Sequence, residues 1–210
     1  AFGFTSQVFC DFSGYSLCAI GVALCLGFQL RTNFRFPFAA VGFRAFWRRW
    51  HISLSTWLRD YVYASLRGAT AERTVTRRAF NILVTWGLIG LWHGAGWNFL
   101  VWGVVSGALI VLEEGVRARA PQSSVWTTTR AQFLFALLTF TGISLSLLIF
   151  RAPGPERLGE LAAALFAGAA PAGGPLLTGE QARVIALTAS GLFLGHWYMR
   201  HRSLEELATR

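Results

Sequence analysis

The sequence has 210 residues, of which 54% are hydrophobic and only 14% are charged. Soluble domains carry about 25% charged residues, so this composition argues against a soluble protein and favours one that crosses a membrane several times. The formal net charge of +9 comes from 19 arginines with no lysine, and because the arginines flank apolar runs they indicate membrane topology rather than a nucleic-acid-binding surface.

Apolar segments that alternate with basic ones predict an all-α, polytopic integral membrane helix bundle. The apolar run 79–114 is too long for one crossing, since a single helix of that length would extend ~54 Å against a membrane core of ~30 Å. We therefore predict a hairpin that turns near the “HGAG” of residues 93–96. The predicted spans are 2–28, 79–93, 95–114, 131–150 and 184–199.

The arginines are distributed unequally between the two sides that these spans define. Ten lie in residues 31–78, three in 117–130 and three in 200–210, whereas the 151–183 segment has three arginines and three glutamates. This positive-inside pattern predicts a multi-pass protein of the cytoplasmic (inner) membrane, with 151–183 outside the cell. A short amphipathic helix is predicted within that segment, at about 156–167.

The cysteines, the histidines and the start of the sequence narrow the class of protein further. Cys10, Cys18 and Cys25 all lie in the first apolar segment, which favours small apolar residues over a disulfide set or a metal site. The histidines show no HxxxH or HExxH spacing, so no metal site is predicted. Because the sequence starts at Ala1 and enters apolar sequence at once without an n-region, it is not interpreted as a signal peptide, and we expect it to be a fragment of a longer membrane protein.

Residues 43–60, “FRAFWRRWHISLSTWLRD”, concentrate arginine, tryptophan and one histidine. On a helix over about 43–66, spacings of 3 and 4 create a polar stripe and an aromatic stripe. An interfacial anchor helix explains the arginines and tryptophans. It also surrounds His51 with positive charge, which favours the neutral imidazole that a general base or a structural donor–acceptor requires. The polar stripe is Arg44, Arg48, His51, Ser55 and Arg59, and the aromatic stripe is Trp47, Trp50, Leu54, Trp57 and Tyr61.

Residues 87–103, “GLIGLWHGAGWNFLVWG”, place His93 within an apolar run among glycines that let backbone or substrate approach closely. Ionisable residues inside a membrane are costly and often functional, although a packing histidine bonded to a neighbouring helix gives the same pattern. Asp11, in the first span, could orient a histidine or bond a neighbouring helix. His196 and His201 lie beside arginines and are interpreted as flanking residues.

The stretches “FWRRWHISLSTWLRDYVY” and “GLWHGAGWNFLVWG” resemble the membrane-bound O-acyltransferase (MBOAT) family, in the bacterial branch of alginate O-acetyltransferases and relatives that acetylate or D-alanylate cell-surface polymers. “FCDFSGYS”, “NFRFPF” and “IFRAP” fit the same branch. The resemblance covers most of residues 1–170 and implies a bundle of membrane helices around a tunnel open toward both faces. In complete members an N-terminal set of spans precedes this region, so the resemblance also implies that residues 1–210 are the C-terminal part of a single membrane domain. Two positions depart from it: Leu17, where many relatives have aspartate, and Ser106, where many have histidine.

This resemblance implies transfer of an acyl group, such as acetyl, from a cytoplasmic thioester to a hydroxyl of an extracytoplasmic polysaccharide or cell-wall polymer, directly or through a partner protein. It implies acyl-CoA or an acyl carrier as donor, no tightly bound cofactor, and His93 and His51 as the catalytic residues. A neutral histidine also suits the removal of a hydroxyl proton. The residues expected to contact substrates are Arg44, Arg48, Ser55, Arg59, Asp11, Trp92 and Asn98.

Two other classes of function stay open at the level of sequence. In a transporter or channel, His93 would relay protons and the arginines would gate. Transporters often contain inverted repeats, and no repeat is visible in this sequence. The third possibility is a non-catalytic scaffold in a complex that exports polymer.

Overall fold

The computed structural model describes residues 1–68, 74–121, 126–152, 154, 156–157, 159–160, 163 and 177–202. Every regular element among these residues is helical, which confirms the predicted all-α fold. In chain order the elements are α1 (Phe2–Cys25), a 3-10 helix (Pro37–Ala39), α2 (Phe43–Trp47), α3 (Ile52–Trp57), a π-helix (Leu58–Tyr63), α4 (Ala64–Arg67), α5 (Val75–His93), α6 (Trp97–Arg119), α7 (Thr129–Arg151) and α8 (Gly179–Met199).

Three of the described helices, α1, α6 and α7, are long and apolar enough to cross a membrane. Only 6% of the apolar stretch of α1 is buried, against 39% for α7, so α1 presents most of its surface outward. The three cysteines lie on that surface as free thiols. The helices α5 and α8 are not among the three, so their crossing of the membrane stays a prediction.

The long apolar run 79–114 is divided between α5, which ends at His93, and α6, which begins at Trp97. Glycines bring the two helices together. A Cβ on Gly103 would collide with the carbonyl oxygen of Trp86, and a Cβ on Gly90 would collide with that of Phe99. Because glycine lets helix backbones approach closely in membranes, Gly90 and Gly103 serve helix packing rather than substrate access.

The segment 43–66 is not the single amphipathic helix that the periodicity predicts, because the chain turns at Arg48–His51 between α2 and α3. His51 has a left-handed backbone, with φ 46° and ψ 55°. Hydrogen bonds to a distant segment hold this turn: the Arg35 amide donates to the Arg49 carbonyl (2.9 Å), and the Ile52 amide to the Asn33 carbonyl (3.0 Å). These long-range bonds override the local helical preference.

His196 is not the flanking residue that its arginine neighbours suggested. It is 6% exposed on α8, and its Nδ1 accepts a hydrogen bond from the Phe38 amide (3.3 Å). Its ring stacks on the Phe38 ring and meets the Phe9 ring edge-on. The histidine therefore joins α8 to the 3-10 helix and α1. The apolar sequence on both sides of His196 was the signal for burial, while His201 is exposed as predicted.

Most of the predicted amphipathic helix at about 156–167, with much of the 151–183 segment, lies outside the described residues. The loop 117–130 is described except for residues 122–125. Its described part is held by Arg117, whose guanidinium lies 3.8 Å from the centre of the Trp126 ring. The side of the membrane on which each of these segments lies stays a prediction.

The α5–α6 contact predicts that Gly103→Ala destabilises the protein. The added methyl group must push the Trp86 backbone away, and overpacking of this kind costs about 1–3 kcal/mol, which should lower the melting temperature of the protein in detergent. Gly191→Ala on α8 is the matched control, since a Cβ there meets nothing within 4 Å. Equal melting temperatures for the two variants would show that the glycine contact does not hold the hairpin.

Candidate functional site

A cavity of about 90 Å³ lies where α1, α5, α6 and α7 meet the segment 46–58, and both predicted catalytic residues, His51 and His93, line it. We call it the histidine cavity. The two histidines, which are far apart in sequence, thus lie at one site whose walls are mostly hydrocarbon. The other lining residues are Val8, Phe12, Phe46, Trp47, Trp50, Leu54, Ser55, Leu58, Trp86, Ile89, Trp102, Ile143, Leu147 and Phe150.

His51 reaches the cavity because the turn before α3 redirects the chain. Its Nδ1 lies 3.3 Å from the side-chain oxygen of Asn33. On the α1 side, its ring stands perpendicular to the Phe12 ring with 4.6 Å between centroids. The imidazole is thus held by a hydrogen bond on one side and by an aromatic edge contact on the other.

His51 is neutral at pH 7. Burial lowers the pKa of its imidazole to about 4, and the neighbouring His93 adds to this effect. The sequence predicted the same direction for a different reason, namely positive charge on the arginine stripe. Burial is the main cause because the broken helix places His51 in the cavity wall, whereas Arg48 is exposed.

His93 is the last residue of α5 and lies among aromatic rings. Its ring makes near-perpendicular contacts with Trp102 (5.3 Å between centroids) and Phe150 (5.2 Å). Trp92 contacts both histidines, with its ring centroid 4.9 Å from that of His93 and 6.2 Å from that of His51. Within the described residues no hydrogen bond engages the His93 ring, so its nitrogens are available to a substrate.

A larger groove of about 790 Å³ lies directly beside the histidine cavity. We call it the arginine groove, because it is lined by Arg44, Arg48, Arg59, Arg67 and Arg78, with Asp60 and Glu114 as the acidic members. The predicted substrate-contacting residues Arg44, Arg48, Ser55 and Arg59 therefore share one surface although they do not share one helix. The wall common to the groove and the cavity consists of Trp47, Ser55, Leu58, Trp86 and Ile89.

Ion pairs hold part of the arginine groove in place. Glu114 on α6 accepts from Arg44 (2.6 Å) and from Arg78 (2.7 Å), so it joins α2 and α5 to α6. The neighbouring Glu113 is 6% exposed and accepts from the Arg44 backbone amide (3.0 Å) and from Arg117 (2.7 Å). Arg44 is thus partly neutralised, which the sequence did not indicate.

The remaining arginines of the groove differ in how free they are. Arg59 pairs with its neighbour Asp60 at 2.8 Å, in an exposed position. Arg48 is exposed and forms no ion pair with an acidic residue in the described part of the chain. Arg67 is likewise exposed and makes no ion pair with an acidic residue within the described ranges, so Arg48 and Arg67 are the groove arginines best placed to meet an anion.

Three of the predicted substrate-contacting residues, Asp11, Trp92 and Asn98, are not among the described residues that line either space. Trp92 is exposed on α5 beside the two histidines. Asp11 is exposed on α1. Asn98 is buried, and its Nδ2 donates to the carbonyl oxygen of Phe150 (2.9 Å). Asn98 thus ties α6 to α7 and fixes Phe150 in the cavity wall, which is a structural contact. Of the two departures from the family pattern, Leu17 is exposed and Ser106 is fully buried.

Asn33 and most of the rings that enclose His93 were not predicted from the sequence as site residues. Asn33 lies in “NFRFPF”, where its position before aromatic residues carried no chemical signal by itself. Trp86, Trp102 and Phe150 were read as span residues, because periodicity cannot tell which neighbouring helix a ring will face. Among the described residues, no group of three or more His, Cys, Asp or Glu side chains is placed to hold a metal ion.

Comparison with known proteins identifies relatives over most of the chain. It is 40% identical to the probable alginate O-acetylase AlgI of Azotobacter vinelandii over 166 residues, which is 79% of this chain and 32% of that protein. It is 36% identical to the peptidoglycan O-acetyltransferase of Helicobacter pylori, covering 73% of this chain and 28% of that protein. It is 29% identical to the teichoic acid D-alanyltransferase of Streptococcus thermophilus, covering 69% and 38%.

The chain spans about a third of the length of these curated relatives. The family model that matches is that of the membrane-bound O-acyltransferases, and it covers residues 2–150. The matched region contains both histidines, the whole lining of the histidine cavity and the whole lining of the arginine groove. The resemblance drawn from the motifs is thereby confirmed, and the chain belongs to the membrane-bound O-acyltransferase family.

Proposed function

We propose that this chain forms the acyl-transfer centre of a membrane O-acyltransferase, which moves an acyl group from a thioester donor to a hydroxyl. The observation that carries this proposal is that the two motif histidines, His51 and His93, line one cavity beside an arginine-lined groove. The family match supports the same class of reaction. The experiment that tests the proposal is transfer of a labelled acyl group from a thioester to a hydroxyl acceptor by the full-length protein.

His93 acts as the general base. It removes the proton from the acceptor hydroxyl while the oxygen attacks the thioester carbonyl, and the tetrahedral intermediate then expels the thiolate, which recovers that proton. A histidine in this role typically contributes ~10²–10⁴-fold to the rate. Its ring nitrogens, free of hydrogen bonds within the described residues, and its position in a largely apolar wall support this assignment.

The arginine groove binds the anionic part of the donor. Coenzyme A and carrier arms both present phosphates, for which guanidinium groups are strong partners because they can donate two hydrogen bonds at once. Arg48 and Arg59 meet the phosphates, while Arg44 and Arg78 are anchored by Glu114. Ser55, in the wall shared with the histidine cavity, lies where the thioester passes from groove to cavity.

The histidine cavity binds the acyl group, and its size favours a short one. Its volume is about 90 Å³, smaller than the ~150 Å³ apolar cavity that holds one benzene molecule in an engineered protein. An acetyl group fits such a space, and a chain of six or more carbons does not. The aliphatic and aromatic lining suits the methyl end of the acyl group.

The acceptor is a hydroxyl of an extracytoplasmic polysaccharide or cell-wall polymer, acylated directly or through a partner protein, and the enzyme lies in the cytoplasmic membrane. The names of the relatives support this acceptor class, since they refer to alginate, peptidoglycan and teichoic acid. The distribution of arginines supports the orientation, with the arginine groove on the cytoplasmic side.

We expect His93→Gln to abolish acyl transfer. Glutamine keeps a hydrogen-bonding side chain but cannot accept a proton, so turnover should fall ~10²–10⁴-fold while expression and donor binding stay near wild type. His51→Ala should lower turnover and also weaken donor binding, because His51 lines the path from the groove. Turnover and donor affinity in full-length protein check both variants. Substantial turnover in His93→Gln would favour a structural role for that histidine.

We expect Arg48→Ala to weaken donor binding and to make binding less sensitive to salt, because one exposed cation that meets phosphate is lost. Arg77→Ala is the matched control, since Arg77 is an exposed arginine that is not among the described residues lining the groove. Donor affinity measured at two salt concentrations separates the variants. If both respond alike, the effect reflects net charge and the groove is not the donor site.

We expect Leu147→Ala to extend the range of acyl groups. Leu147 is 6% exposed on α7 and lines the cavity, so removing three carbons enlarges it without removing a polar group. The ratio of kcat/KM for hexanoyl over acetyl donors should rise ~10-fold or more, since one methylene in an apolar pocket is worth about 10-fold or more. The control Leu148→Ala, beside it but not among the described lining residues, should leave the ratio unchanged. A rise in both variants, or in neither, would contradict the acyl-pocket assignment.

A further inference from the structure

The Asn33 side chain is the centre of a small hydrogen-bond cluster at the entrance to α3. Its Oδ1 accepts from the Ser53 backbone amide (3.2 Å) and from the Ser53 hydroxyl (3.1 Å). The same oxygen lies 3.3 Å from Nδ1 of His51, and the Ser53 hydroxyl lies 3.5 Å from that nitrogen. Because the Ser53 hydroxyl donates its proton to Asn33, it can only accept from Nδ1. One carbonyl oxygen thus joins the segment before the 3-10 helix to the turn that carries His51.

The neighbours of the Asn33 side-chain amide show which of its two terminal atoms is the oxygen and which is the nitrogen. A backbone N–H can only donate, so the atom that faces the Ser53 amide must be the oxygen of the Asn33 side chain and not its nitrogen. An amide oxygen can only accept, so the contact with His51 requires a hydrogen on Nδ1. In the neutral ring the other nitrogen, Nε2, then carries the free lone pair.

The backbone around this cluster is also held. The Asn33 carbonyl accepts from the Ile52 amide (3.0 Å), next to the left-handed residue His51. A non-glycine residue in that conformation is strained and persists where the surroundings hold it in place. The Asn33 side chain and backbone together supply that support, so the same residue sets both the position and the hydrogen-bonding state of the imidazole.

We propose that Asn33 is a positioning residue that keeps His51 in the tautomer with hydrogen on Nδ1, so that Nε2 is the nitrogen that can accept a hydrogen bond or a proton in the histidine cavity. This inference rests on the proposed function for its catalytic consequence, but the tautomer is a property of the protein alone. The two histidine rings are thus held in different ways. A hydrogen bond with a side chain orients His51, whereas aromatic contacts hold His93.

The direct test is nitrogen-15 NMR of full-length protein labelled on histidine, with the His51 signals assigned by their loss in His51→Gln. We expect Nδ1 to give a protonated, pyrrole-type shift and Nε2 an unprotonated, pyridine-type shift at pH 7. In Asn33→Ala the preference should move toward hydrogen on Nε2, while Thr32→Ala, at an exposed position, should retain the wild-type pattern. Hydrogen on Nε2 of His51 in the wild-type protein would overturn the inference.

A kinetic test uses the same variants and a readout that a merely structural role would not move. Asn33→Ala should lower kcat about 10-fold or more with a smaller change in the donor KM, as supporting contacts of functional histidines typically do. Asn33→Asp places a carboxylate beside Nδ1 and favours the imidazolium. The acid limb of its kcat/KM profile should therefore move to higher pH by about one unit or more.

Few charged groups lie near His51 among the described residues. A shift in the kcat/KM profile of Asn33→Asp can therefore be assigned to the new carboxylate. The titratable neighbour that acts on His51 is His93 on α5. Phe12 is the contact on α1, and Arg35 and Arg49 lie at the backbone bond beside the turn. Thr32→Ala, at an exposed position, is the control and should match wild type. A profile for Asn33→Asp that superimposes on wild type contradicts the inference. Absence of acyl transfer in the wild-type protein would instead count against the proposed function, and the NMR result would still decide the tautomer.

Discussion

The packing of Trp47 against both helices of the α5–α6 hairpin is the contact on which the rest of the site depends. Its ring lies 4.6 Å from that of Trp86 on α5 and 5.8 Å from that of Trp102 on α6. This contact fixes α2 on the hairpin, and the turn that follows α2 then carries His51 to the side of the hairpin where α5 ends at His93. Trp47 also lines both the histidine cavity and the arginine groove, so it forms part of the wall between them.

Polar interactions divide the region into two environments. On the side of the arginine groove, Glu113 and Glu114 tie α2 and α5 to α6 and neutralise part of the arginine charge. On the side of the cavity, aromatic rings enclose His93 and a single amide orients His51. The proposed donor, with an anionic head and an apolar acyl end, would therefore find suitable surroundings for both ends a short distance apart.

The sequence predicted the elements that depend on composition and missed those that depend on long-range contacts. The apolar runs, the all-helical fold and the family follow from local patterns. The break at His51 does not, because periodicity over 43–66 is compatible with one helix and only the bonds from Asn33 and Arg35 interrupt it. His196 was predicted to be a flanking residue because arginines lie nearby, although the residues on both sides of it are apolar. The pairing of Arg44 with Glu114 joins residues 70 positions apart, a distance that spacing arguments do not reach.

The central claim is that the cavity shared by His51 and His93 is the place where the acyl group is transferred. The measurement that tests it most directly is a structure of the full-length protein, in membrane-like particles, with a non-hydrolysable analogue of an acetyl thioester bound. We predict that the analogue's acetyl carbonyl lies in the histidine cavity, about 3–3.5 Å from where a hydroxyl activated by His93 would attack, with the phosphates against Arg48 and Arg59. An analogue bound with its acetyl group outside that cavity would contradict the claim.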